Sequence, residues 1–173
     1  MQVRGRSVRF DGGGAIRNNG AVIEHFEAAW NELLSPGSGF AMSTIEVRGV
    51  PIRVFDQAPP TMRAVWELAQ LHGDKTYIVF EDERYTYADV AGQVRALANW
   101  LRDTHGVGPG DRVAVAMRNY PEWVVSYWAT ACVGAALVGM NAWWTPKEMA
   151  YAIADSQPKV LIADDERVAR LTE

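Results

Sequence analysis

The residues of this 173-residue chain that could do chemistry are few and far apart. Histidines stand only at His25, His72 and His105. Each falls in or at the end of a different helical segment, a poor basis for a shared metal site. Cys132 is the single cysteine and lies in an apolar run. It can form no internal disulfide, and it reads as a small core residue. Ser126 has no glycine elbow around it and is expected to face a neighbouring helix. The runs "DGGGAIRNNG", "SPGSGF" and "GVGPGD" match neither G-x-G-x-x-G nor G-x-x-x-x-G-K-[ST], so they read as turns.

Two features ask for more. Asp164-Asp165-Glu166 follows an apolar strand-like run. It could flank a ligand crevice at a strand end, or it could be the acidic first turn of a helix. Trp143-Trp144 sits in "LVGMNAWWTP", where a loop should be. Trp144 stands at N′ and Met149 at N4 of the next helix, the register of a hydrophobic staple. An interface or a wall of an apolar ligand pocket are the other readings of the pair.

Composition sets the frame for these residues. Hydrophobic residues make up 49% and charged residues 22% of the chain, as in folded domains. The net charge of -4 gives no basic field for nucleic acid. No run of 18 apolar residues predicts a transmembrane helix. Arg4, Arg6 and Arg9 are not followed by the apolar stretch of a signal peptide. A reducing, cytoplasmic location is expected.

The elements that must position the chemistry can be read in order. Residues 1–20 lack periodicity and read as a disordered leader; Met42 offers an alternative start. Residues 21–60 hold a peripheral helix, with Ile23, Phe26, Trp30 and Leu33 at helical spacing, and two short strands turning at Arg48-Gly49. Thr61 can cap a helix that Gly73 closes, and "TYIVFEDERYTY" reads as a hairpin turning over Glu81–Arg84. Thr86-x-x-Asp89 opens an amphipathic helix with a Val90, Val94, Leu97, Ala98, Leu101 stripe.

The pattern then becomes regular. Strand-like "RVAVAM", "AALVGM" and "KVLIA" alternate with two helices. The first helix is expected to be capped by Asn119 with Glu122 and is apolar nearly all round. The second is capped by Thr145, Pro146 and Glu148. Strands joined by such long helical crossovers make a parallel βαβαβ sheet with flanking helices. Three strands are few, so 61–173 reads as a truncated N-terminal α/β subdomain.

"ERYTYADV" (Glu83–Val90) and the ordered run from Gly106 to Asp164 resemble the beginning of AMP-forming acyl-CoA synthetases, within the adenylate-forming enzymes. The resemblance covers residues 61–165 well and 22–60 loosely. "ATACVGAALVGMN" is similar to a family motif, though Ala131-Cys132-Val133-Gly134 and Gly139-Met140-Asn141 replace its usual Lys-Ala-Gly and proline turn. "NAWWTPKEM" looks most like fatty-acid-CoA ligases. The resemblance implies a parent that joins a fatty or other carboxylic acid to CoA through an acyl-adenylate, using ATP, Mg²⁺ and CoA. It also implies an acyl pocket for which Trp143-Trp144 could form a wall. The family's phosphate-cradling Ser/Thr/Gly loop, adenine segment, ribose-binding aspartate and C-terminal lysine have no counterpart in this sequence. No catalytic, cofactor-binding or metal residue is therefore carried over, and the chain by itself is expected to be inactive and to bind these cofactors weakly. The competing expectation is a non-catalytic α/β module, or truncated gene product, that associates with a protein partner; the fragment is expected to self-associate through the incomplete sheet or to be only marginally folded.

Overall fold

The computed structural model describes residues 20–172. The expected leader lies outside them except for Gly20, which opens the first helix. The chain divides into two units after Ala58.

In the first unit, helix α1 (Gly20–Leu33) is followed by strands β1 (Met42–Val47) and β2 (Val50–Phe55). The strands pair antiparallel, with Ile45 opposite Ile52. Arg48 and Gly49 both take positive φ, 52° and 80°. Such a two-residue turn matches the twist of a hairpin. The α1 stripe has the expected helical spacing, but Ile23, Phe26, Trp30 and Leu33 are exposed.

In the second unit, α2 (Met62–Ala69) starts at Thr61, whose hydroxyl accepts the Ala64 N–H at 3.1 Å. A 3-10 turn over Gln70–His72 follows, and Gly73 leaves it at φ 54°. Strands β3 (Thr76–Phe80) and β4 (Glu83–Thr86) form the second hairpin. Its turn is the pair Glu81-Asp82, shorter than the expected Glu81–Arg84, because Glu83 and Arg84 already pair with Phe80 and Val79. Helix α3 (Tyr87–Asp103) begins with a reciprocal cap: Thr86 accepts the Asp89 N–H, and Asp89 accepts the Thr86 N–H.

The remaining elements are β5 (Arg112–Ala116), α4 (Pro121–Cys132), β6 (Ala136–Gly139), α5 (Pro146–Ser156), β7 (Val160–Ala163) and α6 (Asp165–Leu171). The three strands form the expected parallel sheet, in the order β6-β5-β7. Val113 lies opposite Leu137 on one side and Val160 on the other. Successive side chains of a strand face opposite ways. Accordingly Val113 joins Trp66, Val90, Val94, Leu101, Val125 and Ala129 in one core. Ala114 and Ala116 join Met140 and Met149 in the other.

Helix α4 is covered on several sides, as its sequence demands. Val125, Ser126, Ala129 and Thr130 are buried. Trp128 stacks on Trp66 at 5.0 Å between ring centroids and donates its indole N–H to the Tyr77 hydroxyl at 2.8 Å. The expected Asn119 cap is corrected. Tyr120 is the N-cap and makes no side-chain capping bond. Pro121 takes the first helical position and restricts the residue before it to extended backbone, so the boundary falls at Tyr120, φ -84° and ψ 159°.

Candidate functional site

The carboxyl ends of parallel strands are where open α/β sheets bind ligands. Here that edge is formed by the loop after β5, the loop from Met140 to Thr145 after β6, and Asp164 after β7. Asp164 is the N-cap of α6. Its carboxylate accepts the N–H of Arg167 at 3.0 Å and that of Arg118 at 3.1 Å. It also accepts the Arg167 guanidinium at 3.1 Å and 3.2 Å. Asp164 therefore joins the loop after β5 to the start of α6. Burial pushes its carboxyl up, but the N–H groups of Arg167 and Arg118 and the Arg167 guanidinium outweigh that and hold it below the ordinary aspartate value.

Arg167 is fully buried. A buried guanidinium needs its donors matched. Besides Asp164 it donates to the Glu166 carboxylate at 2.9 Å and to the Ala142 carbonyl at 2.8 Å and 2.6 Å. Arg170, one turn on, reaches the carbonyls of Ala142 and Trp144, both at 3.1 Å, and the Glu166 carboxylate at 2.5 Å. The two arginines thus hold the tryptophan loop by its backbone. Above them the Arg118 guanidinium lies 4.4 Å from the Trp143 ring centroid, a cation–π contact. Beside Asp164 a cleft of about 530 Å³ opens, lined by Phe80, Met117, Tyr120, Ile162 and Asp165 among others. Its lining mixes these apolar groups with four carboxylates, Glu83, Glu122, Asp164 and Asp165, a combination that disfavours an anion.

The acidic trio is a helix start: Asp164 caps α6, and Asp165 and Glu166 fill its first turn. The tryptophans separate. Trp143 is exposed, whereas Trp144 packs against the core that contains Met149 and also borders a groove of about 580 Å³ with Val138 and Tyr151. His72 and His105 lie against Tyr87 and Trp100, at 4.9 Å and 4.1 Å between centroids. His25 is on α1 of the first unit. Among the described residues no group of three His, Cys, Asp or Glu could hold a metal. Cys132 is half-buried, not a full core residue; burial pushes its thiol up. Ser126 is buried on α4.

Sequence reasoning missed Arg167 and Arg118. The Asp164-x-x-Arg167 spacing at a helix start was a usable signal, since residues three apart meet on one face. Arg118 meets Trp143 and Asp164 only through the fold, and nothing near it in the chain announces either. As for ATP, Mg²⁺ and CoA, the donors gathered at the edge are already bound to one another, and the residues do not fit a triphosphate or its metal.

Comparison with known proteins agrees with this architecture. A family model described as AMP-binding enzyme matches residues 65–173. The chain is 33% identical over 107 residues to a crotonobetaine/carnitine–CoA ligase of Salmonella paratyphi A, covering 58% of this chain and 20% of that protein. It is 36% identical over 99 residues to a 3-hydroxybenzoate/4-hydroxybenzoate–CoA ligase of Thauera aromatica, covering 57% and 19%. Among solved structures, an anthranilate CoA ligase in complex with anthranoyl-AMP superposes with a TM-score of 0.61 at 26% identity, over 65% of this chain and 22% of that one. A benzoate CoA ligase from Burkholderia xenovorans gives 0.60 at 25% identity, over 65% and 23%. The fold is that of the N-terminal part of adenylate-forming enzymes, and the chain belongs to the AMP-binding enzyme family. It spans about a fifth of the length of the curated relatives it matches. No helix among the described residues is long and apolar enough to cross a membrane.

Proposed function

We propose that this chain is the N-terminal part of an ATP-dependent acyl-CoA ligase. The whole protein would activate a carboxylic acid as its adenylate and pass the acyl group to CoA. The observation that carries this is the match of residues 65–173 to the family, on a parallel sheet of the matching fold. The relatives are named for acids as different as carnitine and hydroxybenzoate. The finer proposal of a fatty acid rests on "NAWWTPKEM" and on the groove beside Trp144. The role of this part is structural: α6 and its arginines position the loops at the carboxyl edge, and the chain alone does not adenylate. The proposed setting is the cytoplasm, with ATP, Mg²⁺ and CoA supplied to the whole protein.

A chimera tests this. The matching segment of the Thauera ligase is replaced by residues 65–173 of this chain, and acid-dependent ATP–pyrophosphate exchange is measured. The folded chimera is expected to retain exchange, while the 173-residue chain shows none above a mock preparation. A folded chimera without exchange, or exchange by the chain alone, would sink the proposal.

A further inference from the structure

A second cleft lies at the opposite, amino-terminal end of the sheet, where Val107, Gly108 and Pro109 lead into β5. It measures about 370 Å³, within the usual range of about 300–1,000 Å³ for small-molecule sites. Its floor is apolar: Trp66, Ala91, Val94 and Ala98, which are buried, with Cys132 and Val133 beside them. Its rim is cationic. Arg63, Arg95 and Arg102 line it against a single carboxylate, Glu67. Arg63 pairs with Glu67 at 2.9 Å, and Arg102 pairs with Asp103 at 2.8 Å. Arg95, on the same helix as Arg102, has no ion-pair partner among the described residues. Asn99 and Gln70 add neutral polar groups to the rim, the Asn99 side-chain oxygen already accepting from Arg102 at 3.0 Å.

We propose that this cleft binds a small amphiphilic organic anion, its apolar body on the Trp66–Val94 floor and its anionic head against Arg95 and Arg102. Arg63 and Arg102 already have carboxylate partners, so a neutral apolar ligand would leave the Arg95 charge unmatched, and an inorganic anion would leave the floor in water. Guanidinium groups are the side chains best suited to a planar or tetrahedral oxyanion. The site is separate from the carboxyl edge, so it does not depend on the function proposed above.

Naphthalene-1-sulfonate is a suitable probe, with 1-naphthol as its neutral counterpart. Equilibrium dialysis of the purified chain at low salt is expected to give a Kd of about 1 mM or tighter for the sulfonate. Arg95→Gln and Arg102→Gln should each weaken it several-fold, and salt should weaken it as well, since exposed charges are screened. Arg95 and Arg102 are exposed, so the variants should fold as the parent does. Cys132, the single cysteine, reports location. Its thiol loses its proton to solvent, the resulting thiolate displaces iodide from iodoacetamide, and saturating sulfonate should slow that alkylation. Should Cys132 resist alkylation, the two arginine variants decide. The proposal is overturned by absence of binding at about 10 mM probe, by naphthol binding as tightly as the sulfonate, by both variants binding normally, or by alkylation that proceeds unslowed under saturating probe.

Discussion

Asp164 and Arg167 are joined twice: the Asp164 carboxylate accepts the Arg167 backbone N–H at 3.0 Å and its guanidinium at 3.1 Å. One interaction caps α6, and the other neutralises the buried cation that holds the tryptophan loop. Removing one member of a buried pair costs about 3–5 kcal/mol. Arg167→Met should fall at the low end, because Asp164 keeps its backbone donors and some contact with water. Urea unfolding measures it. A loss under about 1 kcal/mol, within the range of ordinary surface changes and their error, would mean that the guanidinium does not organise the loop.

The same carboxylate makes stability depend on pH. Asp164 is held below its ordinary value in the fold, so its contribution is present above the unfolded value of about 3.9 and is lost as pH falls through the lower folded value. Asp164→Asn should flatten the thermal midpoint in that acidic window. Asp89, Asp111 and Glu148 are lowered too, so part of the slope should remain. An unchanged slope in the variant would show that Asp164 is not depressed.

Trp144 is half-buried against the core of Met149. Trp144→Ala should therefore cost less than the about 3–5 kcal/mol of a fully buried ring. A double-mutant cycle with Met149→Ala should show a coupling of roughly 0.5–3 kcal/mol. Trp143→Ala should cost about 0.5–1 kcal/mol, the value of an exposed cation–π contact with Arg118. Additivity of Trp144 and Met149 would remove the staple.

The caps of α4 and α5 give a paired comparison. Thr145 accepts the Glu148 N–H at 3.4 Å, and Glu148 returns to the Thr145 N–H at 2.8 Å. Thr145→Ala should cost about 1 kcal/mol. Asn119→Ala should be nearly neutral, because Tyr120 occupies the cap position of α4. Equal losses at the two sites would restore the Asn119 reading. Chemical denaturation of both variants is sufficient.

Self-association is the fifth expectation. Among the described residues β6 and β7 each have one unpaired edge, and such edges template pairing with other chains. Tyr151 and Val168 add exposed apolar surface on α5 and α6. Light scattering of the pure chain should show species above the monomer, with binding of a hydrophobic dye. A monodisperse monomer without dye binding would contradict this.

Local signals in this chain proved legible where a residue's fate is decided within one turn. Thr61, Thr86 and Thr145 cap the helices they precede, and Arg48-Gly49 makes the hairpin turn. The α3 stripe faces the core because its spacing already defines a side. Asn119 failed for a local reason as well: Pro121 dictates the cap more strongly than a polar side chain does.

The sequence by itself determined the strand and helix alternation, hence the parallel sheet, because period and length of apolar runs are properties of neighbouring residues. It also carried the family, through an ordered run of segments. Only the tertiary structure decided that β5 is central, that Arg118 meets Trp143, and that Arg167 is buried beneath the Ala142 carbonyl. These pairs lie about 25 residues apart along the chain. Their partners are chosen by how crossovers place loops at one sheet edge. The burial of a charge is decided by what closes over it, which no local pattern encodes.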